Sequence, residues 1–314
     1  MLTYIVRRLL MFPVIIFLIA VFSFSIIHVV PGDPAAVLLG EQATQEQIDS
    51  LRKKLGLDQP VYIQLFNWLK KAVQGDLGRS LFMQANVSNV LVRRIPRTAW
   101  LALFASGIVF TIGIPLGIFA AVNHNTLIDR AFMMLTTSFL SIPIFLVALG
   151  LLIIFGINLE WLPLTGYVSP LKNLQEGIRH LILPSLSIST LVMAYASRMA
   201  RSAMLEVSQM EYIKTARAKG LTELLVIFKH MLRPASIPVV TTMGLIFGSL
   251  MGGTIISETI FMVPGIGRLM FTSVIKRDLL MMQGIILFVG VSYTSINLLT
   301  DILYGVIDPR ITYE

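Results

Sequence analysis

Six segments of the chain are apolar and long enough, or nearly long enough, to cross a bilayer. They lie at residues 9–32, 98–123, 131–159, 181–197, 234–257 and 279–300. About 20 consecutive apolar residues are needed to cross the hydrocarbon core. None of the six contains Asp, Glu, Lys or Arg, and the weakest, 181–197, is 17 residues long. The pattern predicts an all-α integral membrane protein with six spans and with both termini on one side.

The composition agrees with this class. Apolar residues make up 55% of the chain and charged residues 13%, about half the ~25% charged share of a typical soluble protein. The chain has no cysteine, which excludes disulfides, thiolate catalysis and cysteine metal sites. We attribute the net charge of +8 to membrane orientation and not to nucleic-acid binding.

The first span follows Arg7 and Arg8, as the apolar part of a cleaved signal peptide would. At 24 residues it exceeds the usual ~7–15 residue apolar region of such a peptide, and a good small-residue cleavage site is missing. We therefore expect a retained membrane anchor.

The long segment between the first two spans carries the signals of a small helical subdomain. Thr44 can cap a helix that ends at Gly56, and a second amphipathic helix follows Pro60. GDLG at 75–78 then turns the chain, and 87–95 leads back toward the membrane. Two compatible interpretations stay open: a cap packed on the bundle, and a contact for a substrate-carrying protein.

Residues 198–234 form the only long charged stretch in the second half of the chain. Around 211–221 the apolar residues at helical spacing are Tyr212, Ile213, Ala216 and Leu221, and the charged residues opposite them are Glu211, Lys214, Arg217 and Lys219. The pattern predicts a helix lying across the membrane surface. Gly220 would end or bend it, because glycine accepts left-handed backbone geometry.

This segment resembles the cytoplasmic loop of permease subunits in bacterial binding-protein-dependent ABC importers. The loose family pattern is Glu-Ala-Ala, three residues, Gly, then Ile-x-Leu-Pro. Lys214, Thr215 and Ala216 stand at the Glu-Ala-Ala positions, and Gly220 matches the glycine. Leu232 and Pro234 loosely match the ending. The strict matches are Ala216, Gly220 and Leu232.

The departures resemble the dipeptide, oligopeptide, nickel and glutathione branch, of which TARAKGL at 215–221 is typical. Further phrases of that branch are VRRLL (6–10), PGDP (31–34), LGLDQP (55–60), GDLG (75–78), SRMARSAMLEV (197–207), SETIF (257–261), PGIGRL (264–269) and DILYGVIDPR (301–310). A lone PGDP or PGIG would mean little, because such phrases are ordinary turn chemistry. Eight in the same order identify the chain as a member of this family.

The resemblance implies a six-span type I ABC importer permease of the bacterial cytoplasmic (inner) membrane, with an extracytoplasmic helical loop and a cytoplasmic coupling helix. Its partners would be a second homologous permease, two cytoplasmic ATPases that hold ATP and Mg²⁺, and an extracytoplasmic binding protein. This chain would bind no cofactor and catalyse nothing. Peptides are the implied cargo, with glutathione or a nickel chelate as alternatives. The implied ATPase-coupling residues are Glu211, Tyr212, Lys214, Thr215, Ala216, Arg217, Ala218, Lys219, Gly220 and Leu221.

The charge distribution supports cytoplasmic termini. That orientation puts eleven Lys and Arg residues inside and fourteen outside, nine of them in the loop 33–97. Loops above ~60 residues translocate largely regardless of charge. Without that loop the count is eleven against five. We expect three parts: 1–32, the N-terminus and first span; 33–97, the extracytoplasmic loop; and 98–314, the core of five spans with the coupling loop 198–234.

Other functional classes fit the sequence less well. No GxxxxGK[ST] pattern occurs, so ATP hydrolysis would require another polypeptide. An ion-driven carrier would need ionised groups near the membrane centre, and the spans have none. No GxSxG or HExxH spacing suggests an intramembrane enzyme. The histidines also lack ligand spacing, so we expect no metal site.

Some residues in the fifth span, or just after the fifth and sixth spans, leave alternatives open. Gly244, Gly248 and Gly252 share one helix face, which can serve close packing or can line or gate the pathway. Glu258 is either an outer gate or substrate contact, or a capping or ion-pair residue, for example with Arg268. Asp301 is expected to pair with a basic residue such as Arg198 or Arg201.

Overall fold

The computed structural model describes residues 2–29, 34–39, 43–80 and 82–307. Residues 31–33 of the PGDP phrase and 308–310 of the DILYGVIDPR phrase lie outside these ranges.

The described residues are almost entirely helical. The α-helices are α1 (Leu2–Val29), α2 (Pro34–Leu39), α3 (Gln45–Leu55), α4 (Val61–Val73), α5 (Val87–Ile108), α6 (Ile114–Val122), α7 (Leu127–Ser141), α8 (Ile144–Leu151), α9 (Leu174–Ser208), α10 (Glu211–Ala218), α11 (Glu223–Leu225), α12 (Leu232–Gly253), α13 (Ile255–Ile260), α14 (Ile266–Ile275) and α15 (Leu279–Ile307). π-Helical turns at Val109–Gly113, Leu152–Asn158 and Val226–Met231 join α5 to α6, extend α8, and join α11 to α12. A short antiparallel ribbon of β1 (Arg79–Ser80) and β2 (Ala85–Asn86), which the sequence did not predict, precedes α5.

Six crossings account for the bundle, which confirms the predicted six-span, all-α fold. Five are single helices of sufficient length and apolarity: α1, α5–α6, α9, α11–α12 and α15. The remaining crossing is the pair α7 and α8, whose axes meet at 101°. The apolar segment 131–159, expected as one span, is therefore divided by a sharp bend. Proline at 143 has no N–H to continue the helix and disfavours the α conformation at Ile142, where ψ is 123°.

The bundle has two distinct ends. We call the end that carries residues 43–86 the loop end, and the opposite one the α10 end. The continuous α5–α6 helix, 36 residues or about 54 Å long, starts at the loop end. Near its other end, Ala121 packs in one cluster with Ile213 of α10. Arg8 of α1 forms an ion pair with Asp301 of α15. Asp278, just before α15, accepts a hydrogen bond from Ser80 at the loop end. The start of α1 and the end of α15 therefore lie together, away from the loop end.

Helix α9 is the central element of the bundle. In its most apolar stretch 56% of residues are buried, against 22–39% in the other single-helix crossings. Its Leu181 and Ile188 pack with Leu101 of α5 and Leu250 of α12. The helix has 35 residues, so the predicted 17-residue span was too short. Its N-cap is Asn173, whose side chain accepts a hydrogen bond from the Glu176 N–H.

The segment between the first two crossings has the predicted helices. The Thr44 side chain caps α3 in a reciprocal capping box with Gln47. Gly56 ends α3 with a φ of 68°, as expected for a left-handed C-cap. Helix α4 follows Pro60. The domain boundary predicted between 97 and 98 falls inside α5, which begins ten residues earlier at Val87.

Candidate functional site

Helix α10 rests on the end of the bundle through two buried side chains. Ile213 is fully buried and Ala216 is 7% exposed. Both belong to an apolar cluster with Met204 and Val207 of α9 and with Met231 before α12. These contacts attach one short helix to both of the long helices that flank it. A force applied to α10 would therefore reach α9 and α12 directly.

The end of α10 has the geometry expected from Gly220. Its φ is +77°, and its N–H donates to the Arg217 carbonyl at 2.9 Å. The Leu221 N–H reaches back to the Ala216 carbonyl at 3.4 Å. A Cβ at position 220 would meet no atom within 4 Å, so the constraint there is backbone conformation and not space. The prediction that Gly220 ends this helix is confirmed.

An ion pair links α10 to the next helix, α11. Arg217 donates from Nη2 to Glu223 Oε1 at 2.6 Å and from Nε to Oε2 at 3.1 Å. The two bonds bridge the left-handed turn at Gly220. The Glu223 carboxylate raises the pKa of Arg217 above its ordinary value. Lys214 pairs within α10, with Glu211 at 2.8 Å.

The exposed surface of α10 and of the residues that follow it differs in part from the predicted amphipathic pattern. Tyr212 and Leu221, assigned to the apolar face with Ile213 and Ala216, are 43% and 36% exposed. The remaining predicted coupling residues Glu211, Lys214, Thr215, Arg217, Ala218, Lys219 and Gly220 are exposed as well. Sequence analysis missed Leu224 and Phe228, which are 69% and 68% exposed. Residues 224–228 are all apolar, so no periodic signal marks which of them face outward.

A second polar contact at the α10 end was also missed. Arg201 of α9 donates from Nε to Asp129 Oδ1 at 2.6 Å and from Nη2 to Oδ2 at 2.8 Å. His124 Nδ1 lies 3.1 Å from the same Oδ2, and the Asn125 N–H donates to it at 3.0 Å. Asp129 is 3% exposed. This cluster ties the turn between α6 and α7 to α9, one turn before α9 reaches the cluster that holds α10.

Three glycines of α12, at positions 244, 248 and 252, lie against α15. The nearest atoms to a Cβ at each position belong to α15. A Cβ at Gly244 would lie 2.1 Å from Thr300 Oγ1, and one at Gly252 2.6 Å from Val289 Cγ1. At Gly248 it would lie 3.1 Å from Tyr293 Cδ2. These distances support the close-packing alternative. A pathway or gating role for this face stays a prediction.

Glu258 caps a helix at the loop end. Its Oε1 accepts from the hydroxyls of Thr98 at 2.7 Å and Thr254 at 2.8 Å. Its Oε2 accepts from the Arg268 backbone N–H, in the first turn of α14, at 2.9 Å. The side chain is fully buried, and this burial raises its pKa. The Arg268 guanidinium donates instead to the Met262 carbonyl. The ion-pair suggestion is thus wrong, and the capping alternative agrees with the contacts.

The sequence analysis expected the wrong partner for Asp301, the acid of the sixth crossing. Asp301 lies 3.1 Å from Arg8, whereas Arg201 binds Asp129. The pair therefore joins the first and last crossings. Among the described residues, no group of three His, Asp or Glu side chains is arranged to hold a metal ion.

Six crossings, a central buried helix and a short helix set out between the fourth and fifth crossings define a helical, multi-pass membrane protein. Comparison with known protein families identifies which kind of membrane protein it is. The chain matches the family of binding-protein-dependent transport system inner membrane components over residues 113–313, and the N-terminal part of such membrane components over 1–102. It belongs to this family, the permease subunits of binding-protein-dependent ABC importers.

Relatives match over almost the whole chain. The glutathione transport system permease protein GsiC of Escherichia coli O6:H1 is 40% identical over 314 residues, all of both chains. A protein of Brucella abortus (strain 2308), provisionally named a peptide transport system permease protein, is 39% identical over 96% of each chain. The inward facing MetNI methionine ABC transporter shares the fold, with a TM-score of 0.53 at 17% identity over 70% of this chain and 96% of that one. The predicted importer-permease fold and membership are confirmed.

Replacing Glu258 by Gln should destabilise the protein. The carboxylate only accepts hydrogen bonds here, and an amide NH₂ would face at least one of its present donors. We expect a loss of about 1–3 kcal/mol of unfolding free energy, seen as a lower Tm of the purified chain in detergent. Glu160→Gln, at an exposed position between α8 and α9, is the matched control. Equal Tm values for both variants would exclude the capping role.

Proposed function

We propose that this chain is one of two permease subunits in an importer that moves peptides across the bacterial inner membrane into the cytoplasm. ATP would be hydrolysed on two separate subunits that hold ATP and Mg²⁺. The relatives named for peptide and glutathione transport support this cargo. Glutathione is itself a tripeptide, so the two names agree in chemistry. Glutathione and a nickel chelate are the alternative cargoes.

The observation that carries the proposal is α10, an exposed helix held by the two long helices beside it. Its inner side is Ile213 and Ala216, and its outer side carries charged and apolar groups that no described residue covers. A groove on a cytoplasmic ATPase that receives this outer side would move α9 and α12 as a rigid body. The coupling surface would comprise the exposed residues of 211–221, together with Leu224 and Phe228.

The charge distribution supports one orientation of the chain in the membrane. We place the α10 end, with the start of α1 and the end of α15, in the cytoplasm. The count of eleven basic residues against five, outside the long loop, supports this placement. The loop end would then face the extracytoplasmic binding protein. A second, homologous permease would complete the pathway.

The function is tested by reconstituting the chain with the neighbouring permease, ATPases and binding protein in vesicles. We expect uptake of a labelled peptide that requires ATP, the binding protein and this chain. The control is the same assembly with a non-hydrolysable ATP analogue. Uptake by the isolated chain under an ion gradient alone would overturn the proposal in favour of a carrier.

Gly220→Val should reduce uptake more than it reduces membrane insertion. A Cβ in left-handed geometry costs on the order of 1 kcal/mol or more, and the turn that orients α10 would shift. Gly75→Val is the matched control, because Gly75 also has a positive φ of 82° and free space around its Cα, but lies at the loop end. Normal uptake by Gly220→Val at normal expression would show that this turn is not critical for coupling.

Single cysteines should report the orientation without background, because the chain contains none. Lys214→Cys, where the lysine side chain is 60% exposed, should react only with reagents that reach the cytoplasm. Gln59→Cys, at an exposed position between α3 and α4, should react from outside. The readout is maleimide labelling of intact cells against inverted vesicles. Labelling of both positions from the same face would contradict the topology.

A further inference from the structure

The bend between α7 and α8 interrupts a membrane crossing within the depth of the bilayer. Asp129, near the start of α7, belongs to the polar cluster with Arg201 at the α10 end. Ile142 follows Asp129 by 13 residues, which is about 20 Å of helix. The hydrocarbon core is ~30 Å thick. The bend therefore lies inside this core and short of its opposite boundary.

Backbone groups at the bend are left without partners. The Ile142 N–H donates to the Ser138 carbonyl at 3.2 Å, and Pro143 has no N–H to continue the helix. The carbonyls of Ser141 and Ile142 and the N–H of Ile144 consequently have no hydrogen-bond partner among the described residues. Residues 141–143 are all exposed. The interruption is thus open to whatever surrounds this chain in the membrane.

The last turns of α7 add three exposed hydroxyl groups, those of Thr137, Ser138 and Ser141. Residues three and four apart are neighbours on a helix surface, so Thr137 and Ser138 both adjoin Ser141. Each hydroxyl donates to the carbonyl four residues earlier, at 2.8–3.1 Å. Because their protons are used in this way, the three oxygens remain as acceptors. The polar surface is continuous with the open backbone of the bend.

Lipid tails can satisfy none of these groups. Irregular backbone occurs within the hydrocarbon region only where protein covers it or where it lines a water-filled space. Water satisfies free carbonyls and a free N–H together, whereas a protein surface would have to match each group separately. Interrupted helices border the solute path in other kinds of membrane transporter. The glycine face of α12, by contrast, is closed by α15.

We propose that the α7–α8 bend lines a water-filled passage of the transporter, with Thr137, Ser138 and Ser141 as a row of hydrogen-bond acceptors along it. The assignment rests on the proposed importer function and names the crossing that borders its path. The second permease would then face the bend across the passage and would not pack directly on it.

The test is the accessibility of single cysteines in a chain that has none of its own. Thr137→Cys, Ser138→Cys and Ser141→Cys change the side-chain volume little. Each variant is assembled with the neighbouring permease and the ATPases in nanodiscs and treated with the charged, water-soluble methanethiosulfonate MTSET. A thiol reacts as the thiolate, which forms in water and not in lipid, so each should react at least roughly tenfold faster than a lipid-facing control. Mass spectrometry of the chain gives the labelling rate.

Leu18→Cys on α1 is the matched control. Leu18 is 60% exposed, and α1 is the least buried of the single-helix crossings. It lies ten residues beyond Arg8, whose ion pair is at the α10 end, much as Ser138 lies nine residues beyond Asp129. The two positions therefore have similar depths in the membrane. The thiol at position 18 should stay unreacted under conditions that label the bend.

Two results would overturn the proposal. Labelling of the bend cysteines as slow as that of Leu18→Cys would place the bend outside any water-filled space. Fast labelling of the chain alone but not of the assembled complex would make the bend a contact with the second permease. Labelling requires neither ATP nor transport, so neither result bears on the importer function. Fast labelling in a complex without ATP-dependent uptake would refute the importer proposal and leave the water-lined bend standing.

Discussion

The structure depends on one constraint: inside the hydrocarbon core every backbone N–H and C=O must find a partner within the protein. Uninterrupted helices meet this requirement, so the chain places most of its turns at the two ends of the bundle. The exception is the bend at Ile142–Pro143 between α7 and α8. Several helices exceed the ~20 residues that a crossing needs; α9 has 35 and α15 has 29. The excess length carries rigid structure beyond the apolar region, and α9 uses it to bring Met204 and Val207 to α10.

Local chemistry made two of the short helices, α3 and α10, predictable from sequence. The helix between Thr44 and Gly56 is defined by a capping box and a left-handed glycine, both encoded within a dozen residues. The end of α10 at Gly220 is defined in the same way. Features set by tertiary contact were not predictable. The pairing of Asp301 with Arg8 joins residues almost 300 positions apart, and sequence alone offered Arg198 and Arg201 as equally plausible partners.

Hydropathy misjudged α9 for a physical reason. A run of apolar residues indicates a lipid-facing segment, whereas the weakest segment, 181–197, belongs to the crossing with the largest buried share, 56% of its most apolar stretch. Ser185, Ser187 and Ser189 are buried inside the bundle. The Ser187 hydroxyl donates to the Pro184 carbonyl and lies 3.0 Å from the Ser257 hydroxyl. The opposite error occurred around α10. The sequence placed Tyr212 and Leu221 on the apolar face of the helix, but both side chains are exposed. Apolar side chains outside the bundle are expected where a partner subunit is to bind.

Close contacts along α12 and α15 connect the α10 end of the molecule to the loop end. Helix α10 packs against the start of α12, and α12 lies against α15 through Gly244, Gly248 and Gly252 with no room for a side chain at the first and last of them. Helix α15 in turn holds α1 near the loop end through the Ser23 hydroxyl, which donates to the Gln283 backbone carbonyl. Close-packed helices shift as units because their interfaces resist continuous deformation. A displacement of α10 by the proposed ATPase partner would therefore be passed through α12 and α15 to α1 at the loop end.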